Sequence, residues 1–404
     1  MKSEWKRTKL KDLVEFNPRE SLAKGTLAKK VTMSDLVEKK RKIRNFHITE
    51  YKGGTLFRNG DILFARITPS LENGKIAQVD ILEDNEIGFG STEFIVWRAI
   101  AGVSDPGFVY YLANYGPIVE TAIRSMSGTS GRQRVQLDAL KDFACPVPPL
   151  RTQKAIADTL SCLDAKIDLN DRMNENLEKQ AQAIFKSWFV DFEPFRDGEF
   201  VDSIIGSIPK GWQACAVTDV IDVNPKRRLA KGSVATYLSM ANVATSGPRV
   251  LAWEQRKFTS GTCFMNGDVL LARITPSLEH GKTAFVDFLA DQEVGWGSTE
   301  FIVMRSREPL PLEYTYCLAK HEPFREHMIK SMTGTSGRQR AQVDALKHYF
   351  LAIAPEDVYA EFEDTVRPMF LAIRRNGTEN QVLAALRDTL LPKLMSGEIE
   401  APVV

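Results

Sequence analysis

The residues best suited to binding chemistry form a short loop that occurs twice in the chain. The run Gly128-Thr129-Ser130-Gly131-Arg132-Gln133-Arg134 returns as Gly334-Thr335-Ser336-Gly337-Arg338-Gln339-Arg340. Glycine lets the backbone approach an oxyanion closely, hydroxyl and amide groups donate hydrogen bonds to it, and the planar guanidinium fits a phosphate or the edge of guanine. The loop is therefore a candidate nucleic-acid contact. The alternative is a glycine-rich turn whose arginines pair with acidic neighbours such as Asp138 and Asp344.

A second repeated segment places polar side chains at the end of a strand. Arg66-Ile67-Thr68-Pro69 follows an apolar run, and the same four residues follow the equivalent run at 273–276. Side chains alternate along a strand, so the arginine and the threonine share one face, and a lysine follows the next glycine turn. Because the two copies are identical here, we expect these residues to hold phosphates or the framework rather than to read bases. The candidates, with the repeated Ser-Thr pair, are Arg66, Thr68, Lys75, Ser91, Thr92, Arg273, Thr275, Lys282, Ser298 and Thr299.

Basic residues concentrate near the beginning of each copy. Residues 1–50 contain fourteen Lys or Arg against seven Asp or Glu, and the densest run is Lys39-Lys40-Arg41-Lys42 with Arg44. The second copy has a shorter run, Lys226-Arg227-Arg228. Such runs can neutralise nucleic-acid phosphates, although a charged run is also typical of a solvated surface. Base reading is assigned to the divergent stretches 19–59 and 226–266, with Arg41, Arg44, Asn45, His47, Tyr51, Tyr237, Asn242, Arg249, Gln255 and Arg256 as candidates.

The composition is that of a globular protein with almost balanced charge. The chain has 404 residues, 43% of them hydrophobic, with 53 basic and 52 acidic residues. This balance excludes collagen-like, disordered and wholly basic chains, so affinity for a polyanion would depend on local clusters. The sequence contains neither an apolar run long enough to cross a bilayer nor the apolar core of a signal peptide, which predicts a cytoplasmic protein. Five cysteines without a CxxC pair predict buried thiols rather than a disulfide framework.

An internal duplication organises the chain. The segment from Gly60 to Lys75 returns 207 positions later, from Gly267 to Lys282. A period of about half the chain indicates a duplicated domain rather than a solenoid. Each copy is typical of a mixed α/β fold: short apolar runs such as 61–65 and 93–97 predict strands, and the segments 108–125 and 311–330 predict helices.

A helical period follows each copy. Apolar residues at alternating steps of four and three are typical of a coiled-coil seam. The first helix leads into the second copy and the second helix leaves it, so helices that pack together run antiparallel. In that register Asn174 faces Asn376 and Asn170 faces Asn380, while the alternative for these asparagines is a bend, which Gly377 favours. The predicted seam residues are Ile156, Leu160, Leu163, Ile167, Asn170, Asn174, Leu177, Ala181, Ile184, Trp188, Phe362, Val366, Met369, Ile373, Asn376, Asn380, Leu383, Arg387, Leu390 and Leu394.

Taken together, these features resemble the specificity subunit of type I restriction-modification enzymes, and the resemblance covers essentially the whole chain. The second helix departs from the family pattern because it lacks the usual Glu-Gln near its start, where the chain reads Pro355-Glu356-Asp357-Val358-Tyr359-Ala360-Glu361. The segments that carry the resemblance are Ala65-Arg66-Ile67-Thr68-Pro69, Asn73-Gly74-Lys75, Pro148-Pro149-Leu150, Phe185-Lys186-Ser187-Trp188-Phe189-Val190-Asp191-Phe192, Gly206-Ser207-Ile208-Pro209-Lys210-Gly211-Trp212 and Leu390-Leu391-Pro392-Lys393-Leu394-Met395-Ser396-Gly397-Glu398.

The resemblance implies an α/β protein with two duplicated target-recognition domains separated by two long antiparallel helices that form a coiled-coil-like spacer. Each domain would read one half of a bipartite site in double-stranded DNA, and the spacer would dock two methyltransferase subunits. Those partners, with a translocating nuclease subunit where one is present, would bind S-adenosylmethionine, ATP and magnesium, and this chain would bind no cofactor and no membrane. The expected bounds are 1–148 for the first domain, 149–192 for the first helix, 193–210 for a linker, 211–354 for the second domain and 355–398 for the second helix and tail.

Catalytic chemistry within the chain has weak support in the sequence. Glu72-Asn73-Gly74-Lys75 has no acidic metal ligands placed to complete a nuclease site, and Cys317, His321 and His327 lack a second cysteine pair for zinc. Neither a GxxxxGK[ST] loop nor an Asn-Pro-Pro-Tyr-like methyltransferase motif is present. We therefore predict a DNA-binding subunit without catalytic or metal sites. Two alternatives stay open: a fused restriction-modification enzyme with its own catalytic site, and a protein-interaction scaffold.

Overall fold

The computed structural model of the protein describes residues 4–129, 131–250, 252–335 and 337–402. The chain divides into two compact units, one made of residues 1–168 with 380–404 and the other of residues 169–379. The division falls inside both long helices, so each unit contains one copy of the duplication and a part of each helix. None of the described helices is both long enough and apolar enough to cross a bilayer.

Two four-stranded sheets and a two-stranded ribbon form the first copy. All four residues of the Ile62–Ala65 strand are buried, which explains why this run is apolar throughout instead of alternating. The antiparallel sheet has the order Val14–Phe16, Phe94–Ala99, Ile62–Ala65 and Ile76–Gln78. The second sheet, whose central pair is parallel, has the order His47–Glu50, Leu27–Val31, Gly88–Gly90 and Thr55–Phe57, and the ribbon pairs Lys6–Lys9 with Ala144–Val147.

The second copy repeats this topology strand for strand, so the prediction of a duplicated mixed α/β domain is confirmed. Its antiparallel sheet has the order Ile221–Val223, Phe301–Ser306, Val269–Ala272 and Thr283–Phe285. Its mixed sheet has the order Glu254–Lys257, Val234–Leu238, Gly295–Gly297 and Thr262–Phe264. Its ribbon pairs Gln213–Ala216 with Phe350–Ile353, and a separate hairpin pairs Phe200–Ser203 with Gly206–Pro209.

Each segment predicted as one helix forms two. The helices of the first copy are Pro106–Ala113 and Gly116–Arg124, and those of the second are Leu312–Lys320 and Glu322–Lys330. The second helix of each pair has proline in its first turn. Proline lacks the N–H that would continue the preceding helix and its ring disfavours a helical residue before it, so the chain ends one helix and begins another. Short helical turns complete the copies at Leu10–Asp12, Leu137–Lys141, Val217–Val220, Met240–Asn242 and Val343–His348, with a further turn at Glu193–Phe195.

The two long helices are Leu150–Phe189 and Glu356–Ser396. Every predicted seam residue is buried or half-buried. In the first unit Asn380 donates to the Ile167 carbonyl at 3.5 Å, whereas Arg387, seven residues further along the second helix, pairs with Asp164 at 2.8 Å on the preceding turn of the first. The two helices therefore run in opposite directions, and the antiparallel prediction is confirmed within this unit.

The same direction holds in the second unit. The Asn376 amide donates to Asn174 Oδ1 at 2.9 Å, which confirms that pairing, and the rings of Trp188 and Phe362 lie 6.1 Å apart between centroids. Asn170 donates to Glu379 Oε2 at 2.7 Å, so its amide is satisfied by the carboxylate preceding Asn380 in the chain. The buried asparagines thus carry specific polar contacts between the helices, as expected of residues that fix register.

Gly377 does not interrupt the second long helix. A side chain at this position would overlap the Arg249 guanidinium, which donates to the Arg374 carbonyl at 3.0 Å. The glycine therefore leaves room for an arginine to reach the helix backbone. This steric role accounts for the glycine without an interruption of the helix.

Replacing Asn376 with leucine is expected to destabilise the second unit by about 1–3 kcal/mol, because the half-buried Asn174 amide loses its partner. The free energy of unfolding, measured by chemical denaturation, reports this loss. Asn176→Leu, at an exposed position on the first long helix, is the matched control and should change stability by less than about 0.5 kcal/mol. A double Asn174→Leu, Asn376→Leu variant should recover much of the loss, and equal losses in the single and double variants would contradict the pairing.

Candidate nucleic-acid interface

The repeated loop of the first copy is a tight, backbone-bonded turn. Ser127 and Arg134 exchange backbone hydrogen bonds at 3.1 and 2.9 Å, and Arg132 donates its backbone N–H to the Thr129 carbonyl at 2.9 Å. Gly128 has φ +128°, a conformation that residues with a Cβ rarely adopt. Ser130, one of the predicted contacts, lies outside the described residues. Thr129 and Arg132 therefore lie beyond a base that these backbone hydrogen bonds fix.

Arg134 anchors this loop to the central sheet. Its Nε and Nη2 atoms donate to the two oxygens of Glu93 at 2.6–3.0 Å, and Glu93 immediately precedes the buried Phe94–Ala99 strand. The hydrogen bond from Arg134 lowers the pKa of the Glu93 carboxyl, against the opposing effect of its partial burial. Because Arg134 donates through two nitrogen atoms, this ion pair fixes the orientation of the loop and also balances the charge of Glu93.

Arg132 lies at the tip and has a different role. Its side chain is exposed and makes no hydrogen bond or ion pair with the described residues. Asp138, the acidic neighbour considered as a partner, instead lies 3.4 Å from Lys141. One arginine of the motif is therefore held by the fold, and the other is presented to solvent.

The loop of the second copy has the same arrangement. Arg340 donates to Glu300 at 2.6–2.9 Å, while the side chain of Arg338 is exposed and has no partner among the described residues. Asp344 pairs with Lys347 at 2.7 Å rather than with an arginine of the loop. Thr335 is exposed, Gln339 is half-buried, and Ser336 lies outside the described residues.

The strand-end residues lie beside this loop in each copy. Thr68 donates its backbone N–H to the Gln133 carbonyl at 3.1 Å, and Val135 donates to the Arg66 carbonyl at 2.8 Å. The equivalent bonds in the second copy run from Thr275 to Gln339 at 3.0 Å and from Ala341 to Arg273 at 2.7 Å. The structure thus brings together two motifs that are more than sixty residues apart in sequence. In each copy it forms one polar surface, composed of the loop and the Arg-Ile-Thr segment.

The other candidate residues that are identical in the two copies have two kinds of position: some bond within the domain and others are exposed. Lys75 donates to the Met33 carbonyl at 2.9 Å, and Lys282 donates to the Met240 carbonyl at 2.8 Å; burial lowers the pKa of Lys282. These lysines attach a neighbouring loop to the sheet. Of the two roles that the sequence left open, phosphate binding and framework, these contacts correspond to the framework role. The hydroxyls of Ser91 and Ser298 accept backbone N–H bonds from the anchoring glutamates, whereas Thr92 and Thr299 are exposed.

Two arginines of the first basic run, Arg41 and Arg44, make hydrogen bonds and ion pairs within the protein. Arg41 donates to Gln78 at 2.7 and 2.9 Å and to the hydroxyl groups of Tyr111 and Ser161. Arg44 pairs with Asp168 at 2.8 Å. Ser161 and Asp168 belong to the first long helix, so these guanidinium groups attach the domain to that helix instead of facing solvent. Their hydrogen-bonding capacity is used within the protein, which argues against base or phosphate contacts.

The other basic candidates occupy varied positions. Lys42 lies 3.8 Å from Asp80, Lys39 is exposed, and Lys40 is half-buried. In the second copy Lys226 and Arg228 are exposed, whereas Arg227 is half-buried against Asp268. Arg256 is exposed and its guanidinium carbon lies 4.8 Å from the ring centre of Tyr237. These exposed side chains remain candidate DNA contacts.

Sequence reasoning missed the two anchoring glutamates, Glu93 and Glu300. The available signal was their exact repetition within Gly-Ser-Thr-Glu-Phe alongside the repeated Arg-Gln-Arg run. Arg249 was proposed as a base reader, but it packs on the second long helix. Only tertiary contacts distinguish an arginine that holds a helix from one that faces solvent.

Two of the residues considered for zinc, Cys317 and His327, pack or bond within the second copy. Cys317 is buried in the core, where burial raises the pKa of its thiol, and the His327 ring nitrogen lies 2.8 Å from the Ala345 carbonyl oxygen. Among the described residues no group of three or more His, Cys, Asp or Glu is placed to hold a metal ion.

The Glu93–Arg134 pair should give the first unit a specific pH dependence. Because the folded-state pKa of Glu93 lies below its ordinary value of about 4.5, its contribution to stability is complete above that pH and is lost as the pH falls through the folded pKa. Arg134→Ala should therefore lower the melting temperature at pH 7, with a smaller effect at pH 3.5. Arg124→Ala, at an exposed helix position, serves as the control. An equal difference at both pH values would contradict this assignment.

The comparisons with known proteins agree with this geometry. Residues 2–179 match the family described as the type I restriction modification DNA specificity domain. The chain is 26% identical to the type I restriction enzyme MjaIX specificity subunit of Methanocaldococcus jannaschii, over 72% of this chain and 68% of that protein. It is 24% identical to the HindI specificity subunit of Haemophilus influenzae, over 85% of this chain and 87% of that protein.

The fold has a counterpart among solved structures. The S subunit of a type I restriction-modification system from M. genitalium aligns over 97% of this chain and 96% of its own, with a TM-score of 0.56 and 13% sequence identity. At that identity the likeness concerns the fold alone. The family match covers residues 2–179, and the similarity to the two specificity subunits extends over most of the chain, so this protein is similar to the specificity subunits of type I restriction-modification systems.

Proposed function

We propose that this chain recognises a bipartite site in double-stranded DNA, with each copy reading one half of the site. The observation that carries the proposal is the occurrence, once in each unit, of the same loop with one anchored and one exposed arginine. An exposed guanidinium on a fixed base suits a phosphate or a guanine edge. Neighbouring residues that differ between the copies would let the two halves differ in sequence.

The long helices have a second role in this proposal. They would set the spacing between the half-sites and dock two methyltransferase subunits. A half-site separation of about one helical turn of DNA, ~10 bp, suits two recognition domains joined by a spacer. The departure from the family pattern at Pro355–Glu361 makes the start of the second helix the less defined docking surface.

Catalysis is assigned to the partners. The methyltransferase subunits would bind S-adenosylmethionine and act on bases flipped from the duplex. A translocating nuclease subunit, where the system has one, would use ATP and magnesium. This chain would supply recognition and positioning, acting on cytoplasmic DNA without catalytic residues of its own.

Mapping the methylated bases in DNA modified by the reconstituted complex tests the proposal. Two modified positions within two short conserved sequences, separated by a fixed gap, are expected. A footprint of the same complex should show two protected patches. Absence of sequence-dependent protection would favour a protein-interaction scaffold, and methylation by the purified chain alone would favour a fused enzyme.

A further inference from the structure

One position carries opposite charges in the two copies. Glu20 of the first copy corresponds to Arg227 of the second, since both follow an Asn-Pro pair at the same distance and precede the Gly-Asp strand signal at the same distance. The remaining members of the surrounding charge network are shared, except that Arg58 is replaced by Met265. These two replacements change the local charge balance.

In the first copy the network is neutral. The Glu20 carboxylate is almost fully buried and accepts hydrogen bonds from Arg58 at 2.7 and 2.9 Å and from Arg98 at 2.7 Å. Arg98 also pairs with the buried Asp61 at 2.7 Å. Two arginines thus balance two carboxylates, and the hydrogen bond from Arg58 lowers the pKa of Glu20.

In the second copy the network has an excess positive charge. Arg227 lies 3.1 Å and Arg305 lies 2.8 Å from the same buried carboxylate, Asp268. Two guanidinium groups share one carboxylate, which leaves one positive charge uncompensated within this group. Buried or half-buried charge of this kind is costly unless an anion balances it.

A cavity of about 360 Å³ lies at this position in the second unit. Arg227 and Arg273 line it, together with Asn224, Thr262 and Thr299. The Nε–H groups of both arginines are buried and have no hydrogen-bond partner within the described part of the chain. The same is true of Arg66, the first-copy equivalent of Arg273, so Arg227 is the residue that distinguishes the two copies. Such groups are rare because each forfeits the hydrogen bond it makes to water in the unfolded chain. Because both arginines line the cavity, an anion bound there would balance the excess positive charge.

We propose that this cavity binds a phosphate oxyanion of the DNA backbone through Arg227 and Arg273, and that the first copy, with Glu20 at the equivalent position, does not. The inference rests on the proposed DNA-recognition function and adds an asymmetry to it: the second copy makes a phosphate contact that the first copy lacks. The exposed Thr299 hydroxyl lies at the cavity and is placed to donate to the same group.

The protein-side test uses Arg227→Gln in the reconstituted methyltransferase complex. Glutamine removes the charge while Arg305 still pairs with Asp268, so the buried carboxylate keeps a partner. Lys231→Gln, an exposed charge in the same loop outside the cavity lining, is the matched control. DNA affinity is measured over a range of salt concentrations. Arg227→Gln should weaken binding several-fold and reduce the salt slope by about 1, as expected when one phosphate is no longer bound, whereas Lys231→Gln should leave the slope close to that of wild type.

The DNA-side test keeps the protein unchanged. Duplexes carrying a single neutral methylphosphonate are scanned across both half-sites. One position in the half-site read by the second copy should weaken binding by wild type and have no further effect on Arg227→Gln. If wild type binds its site tightly while no such position exists and the salt slopes agree, the cavity inference is wrong and the proposed function stands. If wild type shows no specific DNA binding, both proposals are wrong.

Free phosphate shares the chemistry of the backbone group, so a further measurement separates the two sources. Melting temperatures are compared in inorganic phosphate and in chloride at matched ionic strength. Stabilisation by phosphate that requires Arg227, combined with unchanged DNA salt slopes, would identify a site for a free anion and overturn the DNA contact.

Discussion

Replacing Arg132 and Arg338 with alanine is expected to weaken DNA binding by the reconstituted complex roughly tenfold or more for each residue, with a salt slope that falls by about 1 for each phosphate that the variant no longer binds. Both side chains are exposed at the tips of loops whose bases are fixed by a second arginine. Truncation therefore removes a DNA-binding group without removing an internal hydrogen bond. Equilibrium binding to the mapped site across several salt concentrations measures both effects.

The matched controls are Arg124→Ala and Lys330→Ala. These residues are exposed at equivalent places in the two copies and make only surface helix pairs within the described structure. They should leave affinity and salt slope almost unchanged. Unchanged affinity in both Arg132→Ala and Arg338→Ala would remove the loops from the DNA interface. Relaxed sequence preference without a change of slope would instead assign them to base edges.

Replacing Arg387 with alanine is expected to destabilise the first unit by about 3–5 kcal/mol, because it leaves the carboxylate of Asp164 without its counter-charge in a nearly buried place. The Arg387 and Asp164 side chains are only 12% and 10% exposed, and their atoms lie 2.8 Å apart. Tyr111 donates to the second Asp164 oxygen at 2.6 Å, and burial raises the pKa of this phenol, which keeps it protonated as a donor. Chemical denaturation measures the loss.

Two further variants distinguish destabilisation by an unpaired buried charge from destabilisation by the loss of a side chain in general. Arg375→Ala, at an exposed position of the same helix, should change stability by less than about 0.5 kcal/mol. The double variant Asp164→Ala, Arg387→Ala should be more stable than Arg387→Ala alone, because no unpaired buried charge remains. If the double variant loses as much as the sum of the two single variants, the residues do not act as a pair.

The sequence was most informative where a local pattern sufficed. The four-and-three spacing located both long helices and their buried faces, and chain order alone required the helices to be antiparallel if they packed together. Exact repetition identified the Gly-Thr-Ser-Gly-Arg-Gln-Arg loop. The strands at 62–65 and 94–99 followed from short apolar runs bounded by turn residues, and the structure confirms them.

The sequence was least informative about the partners of charged side chains. The run from Lys39 to Arg44 has the composition of a phosphate-binding cluster, yet Arg41 and Arg44 bond to residues more than a hundred positions away on the first long helix. Gly377 suggested a bend in the helix, but it accommodates Arg249. Each segment predicted as one helix forms two helices, because a proline lacks the N–H that would continue the first helix. The apolar spacing runs on through the proline and so does not reveal this break.

The duplication, the helical seams and the residue types of the candidate interface could be predicted from chain order alone, because periodicity and repetition are properties of chain order. Tertiary structure decided which of two neighbouring arginines is held by Glu93 and which faces solvent. It also decided that Arg227 and Arg305 share one carboxylate. A guanidinium group reaches several ångströms from its backbone, so its partner is selected by the packing of distant segments and cannot be inferred from its neighbours in the chain.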